Sequence, residues 1–165
     1  MKAANKIANN QVGIAGEYFV AGELSRRGRI ASLTLKNTKG IDVLVADAEA
    51  SSYIGVQVKT NSEKRNEWML NIKAETFQAP NLFYVFVNLC GQEPPEYFVV
   101  PSRVVAEQVT RTHREWLNTP GRGGQAHKPT DMRKFRDLDG EFRDKWDSLQ
   151  LEDSRREHVR MKGDD

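Results

Sequence analysis

The chain has a single cysteine, Cys90, among its 165 residues. A lone thiol forms no internal disulfide, so the fold must rest on an apolar core, and the chain suits a reducing compartment such as the cytoplasm. Cys90 lies in an apolar run and reads as a small buried hydrophobe. No stretch approaches the roughly 18 consecutive apolar residues that span a bilayer. The first eleven residues are polar and lack the apolar run of a secretory signal. Charge of one sign is also scarce: 25 Lys and Arg against 23 Asp and Glu leave +2. Bulk charge therefore does not announce a nucleic-acid binder, and any such site must be a local patch. The three histidines, His113, His127 and His158, show no ligand spacing with Cys90, which argues against a zinc site. Nothing marks a nucleophile elbow. The glycines at 121, 123 and 124 lack the strand-to-helix setting of a phosphate-binding loop.

What is present is enough for one sheet-centred domain. Residues 1–150 read as that domain and 151–165 as a charged, frayed tail. Residues 17–27 carry helical periodicity, with Ile14, Val20, Ala21 and Leu24 on one apolar stripe. Strand-like runs follow at 29–35, 41–46 and 53–60, then at 68–72, 82–89 and 97–100. Pro101 and Ser102 open a second helix, with Ser102 as its N-cap and Val105, Val109, Thr112 and Trp116 as its buried side. Residues 118–130 read as a loop. Phe135, Leu138, Phe142, Trp146 and Leu149 recur at steps of three and four, which predicts an amphipathic helix. Trp116 and Trp146 both read as core. The order implies an α/β or α+β fold, with one mixed sheet covered by helices.

Three groups of residues stand out from this scaffold. Glu17 shares the apolar stripe of the first helix, where a carboxylate is costly unless it is paired or metal-bound. Asp42 opens an apolar strand directly after a glycine, at Gly40-Ile41-Asp42. Gln57 and Lys59 share one face of the strand Gly55-Val56-Gln57-Val58-Lys59-Thr60, because strand side chains alternate. Singly, each has an ordinary explanation: a helix-start glutamate, a turn-capping aspartate, an edge-strand polar face. Together they place carboxylates for a hard cation beside a lysine suited to developing negative charge on a phosphate.

In this order and context the chain resembles the PD-(D/E)XK nuclease superfamily, through Gly16-Glu17, Gly40-Ile41-Asp42 and Gln57-Val58-Lys59-Thr60. The resemblance covers the first half of the chain and continues weakly through 82–89 and 97–101. It implies a single restriction-endonuclease-like domain, a central mixed β-sheet flanked by helices. It also implies a Mg²⁺- or Mn²⁺-dependent DNA endonuclease. Carried over by position, Asp42 is a metal ligand and Lys59 the catalytic lysine. Glu17 is similar to the helix glutamate of the resolvase-like branch. Gln57 departs from the usual Asp or Glu, as it does in some resolvase-like and homing-endonuclease-like members. Glu17 then supplies the missing negative charge, and the Val58 carbonyl is a further candidate ligand. Lys36, Lys39, Lys64 and Arg65 are candidate phosphate contacts, and Arg111, His113, Arg114 and Arg122 form a second basic strip. A homodimer suits the cutting of two strands. The alternatives are a nuclease-fold module that binds DNA or a protein partner without cutting, and an immunity- or toxin-associated interaction protein.

Overall fold

Branched and aromatic residues recur through residues 43–46, 53–61, 82–88 and 96–101, and these runs join one sheet. The computed structural model describes residues 7–35, 40–149 and 151. After helix α1 (Asn9–Arg26) come β1 (Ile30–Leu33), β2 (Val43–Ala46), β3 (Tyr53–Asn61) and β4 (Glu67–Asn71). A 3-10 turn (Ile72–Glu75) follows, then β5 (Leu82–Asn88), β6 (Glu96–Pro101), helix α2 (Ser102–Asn118), β7 (Met132–Arg136) and a last 3-10 turn (Trp146–Ser148). Five strands pair in the order β1-β2-β3-β5-β6, while β4 and β7 form a separate antiparallel ribbon. The β3–β5 pair is parallel and the other pairs antiparallel, so the main sheet is mixed, as expected. Among the described residues no helix is long and apolar enough to cross a membrane.

Alternation sends the two sides of each strand into different layers. Val43, Val45, Val56, Val58, Val85 and Val87 join Val12, Val20 and Leu24 of α1 in an aliphatic layer. Tyr84, Phe86, Phe98 and Val100 face the other way. They pack with Trp68 and Leu70 of β4, Val105 and Val109 of α2, and Phe135 of β7. Helix α1 is longer than its stripe suggested. Its buried positions are Val12, Gly16, Val20 and Leu24, and Ile14 is 40% exposed. The lack of a side chain at Gly16 lets the helix settle on the sheet, since a Cβ there would overlap the Thr60 hydroxyl.

The helix predicted over 135–149 does not form. Residues 132–136 are instead strand β7, with Arg133 and Phe135 buried and their neighbours exposed. The chain then turns sharply. The Asp137 carboxylate accepts the N–H groups of Glu141 (2.8 Å) and Phe142 (2.9 Å), and Gly140 and Asp144 adopt positive φ. The three-to-four spacing came from this turn. It sends Phe142 to the aromatic layer and Trp146 to the aliphatic one, and leaves Leu138 exposed. Trp116 also departs from expectation: α2 outruns the sheet after Val109, so its indole is 39% exposed and stacks on His127 at 4.1 Å. Ser102 makes no cap bond. Its hydroxyl instead donates to the Ala79 carbonyl (3.0 Å) and accepts the Ala79 N–H (3.1 Å). Leu151 packs in the aliphatic layer; the tail from residue 152 lies outside the described residues.

Candidate metal and phosphate site

The site begins where β2 and β3 part. The ladder carries register from Val45↔Ile54 to Val43↔Val56, so Asp42 stands one step beyond it, opposite Gln57. The Asp42 N–H still bonds the Val56 carbonyl at 2.8 Å. Its carboxylate Oδ2 then takes the place of the backbone, accepting the Val58 N–H at 2.7 Å. A residue in a strand directs its N–H and C=O to the same edge. The Val58 carbonyl therefore also points to the side where Asp42 stands. Thr34 holds Asp42 and its neighbour Ile41 in place. The Thr34 N–H bonds the Asp42 carbonyl (3.0 Å) and the Thr34 hydroxyl bonds the Ile41 carbonyl (2.5 Å). Gly40, at φ +67°, lies against the Phe77 ring where no Cβ would fit.

Beside this junction is a cavity of about 400 Å³. One wall is the sheet face carrying Gln57, Lys59 and Tyr84; the other is Leu70, Asn71, Lys73, Ala74 and Phe77, from β4 and the segment after it. Gln57 and Tyr84 are register partners across β3 and β5. Burial, and then the nearby Asp42 charge, push the Tyr84 phenol up to about 12. It therefore stays protonated at neutral pH, with an O–H available to donate. Among the described residues neither Lys59 nor Lys73 enters an ion pair, whereas Glu75, two residues past Lys73, is held by Arg133 at 2.5 Å.

Asp42, Gln57, Val58 and Lys59 thus meet at one junction. Glu17 arrives differently. It is half-buried on α1, one residue past the Gly16–Thr60 contact, and α1 covers the sheet face opposite Gln57 and Lys59. Among the described residues no three His, Cys, Asp or Glu side chains cluster as a metal cage would. The donors at the junction are nonetheless all oxygen: one carboxylate, one carbonyl and one amide. Such a set suits Mg²⁺, which keeps several waters and takes one or two carboxylates plus substrate phosphate.

Lys64 and Arg65 do not line the cavity. Lys64 pairs with Glu96 at 2.5 Å and Arg65 with Glu63 at 2.6 Å. Despite a burial that works the other way, Lys64, Asn88 and Arg143 hold the Glu96 carboxyl below its ordinary value. Lys36 and Lys39 lie outside the described residues. Arg111 and Arg114 border a groove shared with Glu75, Glu107 and Glu115, so the second basic strip is interleaved with acid. The residues that pattern reading missed are Tyr84, Asn71 and Lys73. Tyr84 is hidden in a continuous apolar run, and only register ties it to Gln57. Lys73 sits in a single 3-10 turn, too short for periodicity to mark.

The same architecture occurs in a bacterial homing endonuclease, I-Ssp6803I, with a TM-score of 0.52 over 93% of this chain and 99% of that one, at 16% identity. Hjc of Archaeoglobus fulgidus, a Holliday junction resolvase from an archaeal hyperthermophile, aligns over 76% of this chain and 84% of that one. Its TM-score of 0.41 and 13% identity are too low to carry an argument. No family model matches the sequence, and no curated protein matches it in sequence. The chain shares its fold with that homing endonuclease.

Proposed function

We propose that this protein is a metal-dependent DNA endonuclease whose site is built on Glu17, Asp42, Gln57, Val58 and Lys59. The observation that carries the reading is the Asp42 carboxylate bonded to the Val58 N–H at the β2–β3 junction, beside Lys59 and an open cavity. Asp42, the Val58 carbonyl and Glu17 would hold Mg²⁺ or Mn²⁺, which when bound lowers the pKa of water and withdraws charge from the phosphate. Lys59 stabilises the negative charge that develops on the phosphate and orients the attacking water. Gln57 offers a carbonyl oxygen and two N–H donors to fix that water. Tyr84, kept protonated, donates from the cavity floor.

Three features support a two-fold dimer acting in the cytoplasm: the single cysteine, the exposed apolar residues Ile14, Tyr18 and Phe19 on α1, and the need to cut two strands. Incubation with supercoiled, branched and single-stranded DNA in Mg²⁺ or Mn²⁺ tests the activity. Lys59→Ala is expected to lower cleavage by about 10²–10³-fold, the scale for removing one charge-stabilising group. Equal cleavage by the variant, or none by the wild type on any substrate, sinks the reading.

Gln57 favours a second reading, a nuclease-fold module that binds DNA or a protein without cutting, because an amide attracts Mg²⁺ less than a carboxylate does. Calorimetry separates the two. Mn²⁺ binding by wild type that is lost in Asp42→Asn argues for a working metal site.

A further inference from the structure

We propose that Lys73 is a second phosphate-holding residue, taking the backbone phosphate next to the one that is cut; this rests on the nuclease reading above. Lys59 lies on the sheet wall of the cavity and Lys73 on the facing wall, in the 3-10 turn after β4. The neighbouring cations each have a carboxylate partner. Lys64 and Arg143 meet Glu96, Lys134 and Arg136 meet Glu67, Arg65 meets Glu63, and Arg133 meets Glu75. Lys59 and Lys73 are left without a carboxylate among the described residues, and both border the same space. Asp42 brings one negative charge to the edge of this space, and two ammonium groups on its walls leave an excess of positive charge that favours a further anion between them. The turn that carries Lys73 is fixed in place, because its N–H donates to the Asn71 side chain at 3.1 Å. Leu70 and Phe77 supply an apolar wall alongside. A polyanion with sugar and base faces satisfies both walls. Backbone phosphates of one nucleic-acid strand bring charge at regular intervals, with apolar surface between them.

The test uses the DNA that the wild type cleaves, prepared with single methylphosphonate groups at successive positions around the cut. Lys73→Ala is expected to lower kcat/KM by about tenfold, the scale for one hydrogen bond to a charged group, while Lys73→Arg stays near wild type. One methylphosphonate flanking the cut is expected to cost the wild type a similar factor and to cost Lys73→Ala nothing more, because the same contact is already lost. Unchanged thermal unfolding of both variants keeps a folding defect out of the comparison. If every methylphosphonate costs Lys73→Ala as much as wild type, this inference is overturned while the nuclease reading stands. If the wild type cuts no DNA, both fall together.

Discussion

The two faces of the main sheet are built differently. On the α1 side, valines from four strands mesh with Val12, Val20 and Leu24, and the layer closes. On the α2 side the filling is aromatic. Phe86 stacks on Phe135 at 4.4 Å and on Tyr84 at 5.6 Å, and Trp68 sits 5.0 Å from both Phe86 and Phe98. Small branched side chains fill a helix–sheet gap evenly. Large rings fix a few points firmly, and at the edge of this layer, where the β4–β7 ribbon stands over the sheet, they leave the cavity open. One strand serves both faces: β3 gives Val56 and Val58 to the closed layer and Gln57 and Lys59 to the cavity. Stability and chemistry are thus separated by a one-residue step.

The sharpest way to break that contrast is to hollow each layer in turn. Phe86→Ala should cost about 4 kcal/mol and Val56→Ala about 2 kcal/mol, read by urea unfolding, because the ring leaves the larger void. Equal losses would mean the aromatic layer is not the more rigidly keyed one. Next, Gly16→Ala should cost about 2 kcal/mol by pushing α1 off Thr60, and less in a Thr60→Ala background. Additive costs would show that the helix has room to shift.

A smaller effect belongs to alkaline pH. Burial, and then the Asp42 charge, raise the Tyr84 phenol from 10.0 to about 12. Between those values the unfolded chain loses a proton that the folded one keeps, so stability falls as pH rises through the window. Tyr84→Phe should flatten that fall in a pH series of thermal unfolding. A remainder should come from Tyr97, which is raised as well, by burial first and then by Glu23 and Asp144. The smallest expected change is Trp116→Ala, about 1 kcal/mol or less, because what is lost is a half-exposed indole stacked on His127 and His113.

Much of this was legible in the residues. The alternation at 53–61 told which side chains of β3 go to which face, and Gly40-Ile41-Asp42 marked the start of β2. Spacing misled where turn chemistry took over. Phe135 to Leu149 looks periodic because Asp137 and Gly140 fold the chain back on itself. A list of apolar positions does not register the backbone bonds that a carboxylate accepts. Trp116 misled for another reason: a helix can run past the sheet that buries its first turns.

The sequence by itself determined the order of strands, the facing of Gln57 and Lys59 and the pairing of β2 with β3, because these follow from the two-residue period of a strand and from short connections. Only the tertiary structure decided that Asp42 bonds the Val58 N–H, that Tyr84 lies against Gln57, that Lys73 faces the same cavity as Lys59, and that Glu17 comes from the opposite face. Those are relations between segments 14 to 42 residues apart, and only packing sets them.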